Sequence, residues 1–298
     1  MQQGKRAGVM AIIISTLGFC VYPIFGKVVF AGGASVFTVL FIRFTLAAVV
    51  FWSLTWWKSG RPRLGLKIWL VLLGMGGMGY ASMAALLLGS VHYIPASIAS
   101  LIFYTFPLMV TVIAIATRQE IASGLKLLGL GSSSLGLILV IGLNFGGVNL
   151  MGALIAFSSA VVHALNVMIG NRVLRVSDPL LSTAGMTTGA AVSMGIASLA
   201  TGLTWQLSAT TWLGIAGITF FSTIIAMFSF YKGLQLVGAS TASILSMLEP
   251  VMTGILAYLF LGERLTLTQL VGGALVLLGS MIVAWVPVPV PVSEKPIP

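Results

Sequence analysis

Ten stretches, each about as long as the roughly 20 apolar residues a helix needs to cross hydrocarbon, follow one another along this chain. They lie at about 7–30, 34–57, 67–90, 95–117, 123–142, 149–174, 179–201, 208–231, 238–260 and 266–286. The runs are continuous rather than alternating, which excludes a β-barrel. The pattern predicts an all-α membrane protein of ten transmembrane helices. The breaks between runs are short, so no soluble domain is inserted, and the proline-rich tail 287–298 cannot continue a helix.

Composition agrees with a bilayer as solvent. Of 298 residues 58% are hydrophobic and only 7% charged, too few polar groups to coat a water-soluble globule. The formal charge of +10 would point to nucleic acid in a soluble protein. In a membrane protein it reflects the retention of basic loops in the cytoplasm, so no nucleic-acid partner is expected. With the N-terminus inside, twelve Lys and Arg fall on the cytoplasmic side, among them Lys5, Lys58, Lys126 and Lys232, against Lys27 and Arg264 outside. Both termini are therefore predicted to be cytoplasmic. Lys5 and Arg6 before an apolar run resemble a secretory signal, but no small-x-small cleavage site is evident and further spans follow, so the run is read as a retained helix.

The chain repeats itself. Ala96-Ser97-Ile98-Ala99-Ser100 recurs as Ala239-Ser240-Thr241-Ala242-Ser243, and at the same offset of 143 Pro107 meets Pro250, Glu120 meets Glu263, Gly129 meets Gly272 and Gly136 meets Gly279. Gly8, Ser15 and Gly26 meet Gly152, Ser159 and Gly170 at an offset of 144. These matches divide the chain into a five-helix unit at 1–145, a second at 146–286 and the tail 287–298. Because five is odd, the second unit enters the membrane from the opposite side. Inverted repeats around a central cavity are a recurrent plan of solute carriers; a duplicated but merely structural bundle is the alternative.

Leu248-Glu249-Pro250-Val251, then Leu261-Gly262-Glu263-Arg264-Leu265-Thr266, Gln269-Leu270-Val271-Gly272-Gly273-Ala274 and Leu278-Gly279 resemble the signature of EamA-type exporters of the drug/metabolite transporter superfamily. The first half matches more loosely: Phe106-Pro107 stands for Glu-Pro and Arg118-Gln119-Glu120 for Leu-Gly-Glu. The resemblance covers essentially the whole chain, and the chain also resembles the YddG-type amino-acid exporters. It implies a bacterial inner-membrane exporter of small organic metabolites, most readily amino acids.

Candidate solute contacts come from polar residues in the spans, which must face protein or a wet cavity. Ser159, His163, Asn166 and Gly170 share one face of the sixth helix, and Ser15, Phe19, Tyr22 and Gly26 share the matching face of the first. Ser100, Tyr104 and Pro107 on the fourth helix answer Ser243, Met247 and Pro250 on the ninth. Tyr80 follows a Gly-rich run on the third, and Thr219, Thr223 and Met227 mark the eighth. The cavity set is Tyr22, Tyr80, Ser100, Tyr104, His163, Asn166, Ser243 and Met247; packing through small residues is the competing reading. Pro107 and Pro250 are hinges or static kinks. Arg43 and Glu249 are candidate intramembrane charges, for coupling or for structure, and each needs a partner or water.

A single Cys20 and two histidines on different helices make a metal site improbable, and no phosphate-cradling P-loop or other cofactor motif is present. A neutral, aromatic cavity also disfavours phosphorylated or nucleotide-linked substrates. A drug exporter of the same superfamily, a channel and an intramembrane lipid-modifying enzyme are the alternatives. For the last, the dispersed Ser and Tyr supply no nucleophile or metal set.

Overall fold

A computed structural model describes residues 2–59, 64–90, 92–94, 96–120, 123–141, 149–203, 205–261 and 266–286. The signature residues at 262–265, the loop arginines Arg61 and Arg63, and the tail 287–298 lie outside these, as does the side chain of Lys27. Every element among the described residues is helical: α1 (Gln2–Cys20 and Tyr22–Ala31), α2 (Val36–Ser59), α3 (Leu66–Ser90), α4 (Ala96–Phe103 and Phe106–Ala116), α5 (Gly124–Ile141), α6 (Leu150–Val173), α7 (Pro179–Thr201), α8 (Ala209–Val237), α9 (Ala239–Ser246 and Leu248–Leu261) and α10 (Leu267–Trp285). By length and composition eight of these can cross a membrane; α5 is a shorter apolar helix, and the interrupted α1 is not in that count.

Many large apolar side chains face outward, and small ones line close helix contacts. Leu70, Leu135, Leu199, Leu213 and Leu259 are exposed, whereas Ala47, Ala156, Ala160, Ala164, Ala184 and Ala190 are buried beside Ser159, Thr183 and Thr187. This distribution suits lipid as the surrounding solvent, because helices in lipid associate by close backbone approach and hydrogen bonds rather than by hydrophobic transfer.

Glycines set the closest approaches. A Cβ on Gly76 of α3 would lie 1.8 Å from the carbonyl oxygen of Met186 on α7, and one on Gly189 of α7 would lie 2.1 Å from that of Leu73. Between α5 and α10 the contacts are reciprocal: Gly129 abuts the Gly279 backbone, Gly136 abuts that of Gly272, and between them Ser132 donates to the Leu275 carbonyl at 2.9 Å. Rising residue numbers on α5 meet falling ones on α10, so these helices are antiparallel. In the same sense, Thr38 meets the Ser198 hydroxyl at 3.1 Å and Trp52 donates to Thr188 at 3.0 Å between α2 and α7.

Prolines place the helix breaks. α4 is interrupted at Tyr104 and Thr105, just ahead of Pro107, and α9 at Met247, three residues ahead of Pro250. α1 breaks at Val21, two residues ahead of Pro23. A proline has no amide hydrogen and crowds the preceding turn, which accounts for all three; α6, with no proline, is continuous. α3 and α8 instead carry π-helical segments, Met75–Tyr80 and Ile218–Ile225, which begin 143 residues apart.

Candidate functional site

The three breaks and the π segment of α3 border one cavity that is open on one side. Its wall comes from both halves of the sequence: α1 to α4 from the first, and α6, α8 and α9 from the second. Of the cavity set and the two candidate charges, Tyr22, Tyr80, Tyr104, His163, Arg43 and Glu249 border it, as do Phe19 and Met227 from the helix-face patterns. The irregular turns put them there. Tyr104 sits at the α4 break, Tyr80 ends the π segment of α3, and Glu249 lies in the first turn after the α9 break.

The remaining four are placed elsewhere. Asn166 is buried with its amide against Gly79 of α3, so it fills a close helix contact. The Ser243 hydroxyl is turned back to the carbonyl of Ala239 in its own helix, at 2.8 Å. Met247 is fully buried in the core at the α9 break, and Ser100 is half-buried on α4; neither is in the cavity wall. Ser159, from the same stripe as His163, donates to the Met83 carbonyl at 2.8 Å and locks α6 to α3. The polar stripe of α6 therefore divides, with His163 at the cavity and Ser159 and Asn166 in packing.

His163 sits against two aromatic rings, edge-on to Phe106 at 4.5 Å between centroids and tilted to Phe103 at 5.3 Å. Its Nδ1 is buried without a hydrogen-bond partner. Arg43 is held more tightly. Its Nε donates to Thr223 Oγ1 at 2.5 Å and its Nη2 to the Ser222 carbonyl at 3.3 Å, and its guanidinium carbon lies 5.1 Å from the ring centres of both Tyr22 and Phe44. The aromatic faces attract the cation where no carboxylate is present. Arg43 and Glu249, the two candidate intramembrane charges, do not pair with each other; the phenol of Tyr104 faces the Glu249 carboxyl instead.

The wall also holds Phe103, Phe230, Tyr231 and Ser246, which the sequence patterns do not single out. Tyr231 was within reach of the helix-face pattern, because Thr219, Thr223, Met227 and Tyr231 follow at steps of four.

Away from the cavity, Glu120 binds Lys126 at 2.6 Å and accepts from the Ser240 amide at 3.1 Å. Gly238, at φ +82°, turns the chain into α9 so that this carboxylate meets the exposed amides of the helix start. Glu120 is thus a helix-end anchor, remote from the wall.

The EamA-like transporter family model matches this chain twice, over residues 6–142 and 150–285. The "uncharacterized transporter YcbK" of Bacillus subtilis is 28% identical over 281 residues, covering 89% of both chains. The "uncharacterized transporter YyaM" of the same organism is 27% identical, covering 80% of this chain and 81% of its own. An "uncharacterized transporter" of Archaeoglobus fulgidus is 40% identical over 75 residues, a match spanning 27% of that protein's length. One protein of known crystal structure superposes with a TM-score of 0.82 over 95% of this chain and 98% of its own, at 16% identity, a likeness of fold. With family matches across nearly its whole length and an all-helical, lipid-adapted bundle, the chain is a multi-pass membrane protein belonging to the EamA-like transporter family of the drug/metabolite transporter superfamily.

Proposed function

We propose that this transporter moves small organic metabolites, most readily amino acids, out of the bacterial cytoplasm as a secondary carrier. The observation that carries the reading is the cavity itself. Aromatic and aliphatic side chains dominate a wall that also holds one guanidinium, one carboxyl group and one imidazole. An apolar chamber with a few fixed polar groups suits a small organic solute. A lone cation and a lone carboxyl group on separate elements suit a molecule that bears both charges, whereas a phosphate ester would call for several basic groups.

Alternating access of two inverted halves is the motion that fits. The family model matches once in each half, and the repeat-related helices α5 and α10 run antiparallel through matching glycines, as an in-plane two-fold axis requires. The cavity lies where the halves meet, so tilting one against the other would expose it to either side.

For orientation, both termini are assigned to the cytoplasm of an inner membrane. Lys5 at the start of α1 donates to the Val286 carbonyl just past α10 at 2.5 Å. Lys126 and Glu120 at the start of α5, and Gln235 bonded to the Leu174 carbonyl at 2.6 Å, mark further helix ends that carry the cytoplasmic basic residues. Reporter fusions after Ser59 and after Arg175 are expected to read cytoplasmic, and fusions after Ile141 and Thr201 periplasmic; the opposite pattern would invert the assignment.

Replacing His163 by Ala tests the cavity reading. The expected result is a changed ranking of competing amino acids in liposome uptake, with per-molecule flux reduced about tenfold or more, as for loss of one buried polar contact. Melting temperature measured on the same samples separates the alternatives. A lowered melting temperature with an unchanged competition profile would make His163 a packing residue.

A further inference from the structure

On the outer face of the bundle, where α2, α7 and α8 meet, lies a second concavity that the cavity reading does not use. It is open on one side and lined by Phe51, Leu54, Trp57 and Lys58 of α2, Leu180 of α7, and Ile224 and Phe228 of α8. We propose that this groove is a binding site for one anionic phospholipid, with an acyl chain along the apolar floor and the headgroup held by Lys58.

Polarity is graded along the groove. From Phe51 to Lys58 the α2 rise is about 10 Å, passing from a buried phenyl, against which Phe228 is tilted at 6.5 Å, to the exposed end of the helix. Trp57, 87% exposed, stands beside Lys58 at that end. Trp52 lies between Trp56 and Trp69 with ring centres 6.0 and 5.5 Å away. Tryptophans gather where acyl chains give way to headgroups, so the cluster puts Lys58 at headgroup depth and Phe51 at acyl-chain depth.

Charge selects the headgroup. Lys58 is exposed and forms no ion pair or hydrogen bond among the described residues. The acid near the groove's α7 side, Asp178, is engaged as the cap of that helix, accepting from the Leu180 amide at 2.8 Å. The Lys58 ammonium is therefore open to a lipid phosphate. A zwitterionic phospholipid fills the same apolar floor but adds a repelled ammonium.

Native mass spectrometry and melting temperature, on protein in mild detergent titrated with dioleoyl phosphatidylglycerol or dioleoyl phosphatidylcholine, test the proposal. Wild type is expected to retain one phosphatidylglycerol with an affinity about fivefold above that for phosphatidylcholine, the effect of one basic residue near an anionic surface. Lys58→Gln should abolish the preference while still binding both lipids, Lys58→Arg should restore it, and Leu54→Trp, which fills the groove, should weaken both. Lys232→Gln, an exposed basic residue outside the groove, should leave the preference intact. Equal affinities in wild type, or a loss in Lys232→Gln as large as in Lys58→Gln, would overturn the site in favour of diffuse attraction.

Discussion

Gly76→Val is expected to abolish recovery of folded protein, while Gly74→Ala two positions away is tolerated or stabilising. At Gly76 even the first added carbon falls 1.8 Å from the Met186 carbonyl oxygen, and that oxygen belongs to backbone inside α7. No rotamer change relieves the overlap, so α3 and α7 must separate. Overpacking a core by a methylene costs about 1–3 kcal/mol when side chains can adjust; pushing two backbones apart costs more and also breaks the neighbouring Gly189–Leu73 contact. A Cβ at Gly74 meets nothing within 4 Å, so Ala there should add up to about 1 kcal/mol of helix propensity. Size-exclusion profiles and melting temperatures in one detergent measure both. Comparable yields for the two variants would mean that α3 and α7 are not held by this contact.

That pair also shows where sequence was informative. Apolar run length predicts ten helices and, to within a few residues, their ends, because a bilayer demands continuous apolar segments. Pro107 and Pro250 mark the breaks in α4 and α9, and Pro23 follows the break in α1. Face assignment was less legible. In a soluble helix, polarity separates water from core, but here small and hydroxyl-bearing residues serve both packing and cavity. Ser159 and Asn166 fit the His163 stripe by spacing, yet their partners, the Met83 carbonyl and Gly79, belong to α3, and no pattern within α6 reveals them. Tyrosines were the better guide: Tyr22, Tyr80 and Tyr104 all line the cavity, since a phenol is large and needs an outlet for its hydroxyl.

Arg43→Met is expected to reduce uptake of carboxylate-bearing solutes tenfold to a hundredfold per molecule, corresponding to about 1.5–3 kcal/mol for a charge-assisted hydrogen bond, with the fold retained. Arg43 is 4% exposed yet borders the cavity. It is steadied by Thr223, by the Ser222 carbonyl and by two aromatic rings rather than by an acid. A buried cation without a carboxylate is costly to keep, and a methionine of similar length leaves no charge to compensate, so the melting temperature should hold or rise. Arg43→Lys is the sharper comparison. It keeps the charge, but a compact ammonium cannot donate to both Thr223 and Ser222 and still present a flat face to Tyr22 and Phe44. If the solute's carboxylate meets Arg43, the lysine variant should retain part of the flux and a similar order of preferred substrates, while the methionine variant loses discrimination between amino acids and their uncharged amides. A methionine variant with a collapsed melting temperature and unchanged flux per folded molecule would identify Arg43 as a strut between α2 and α8.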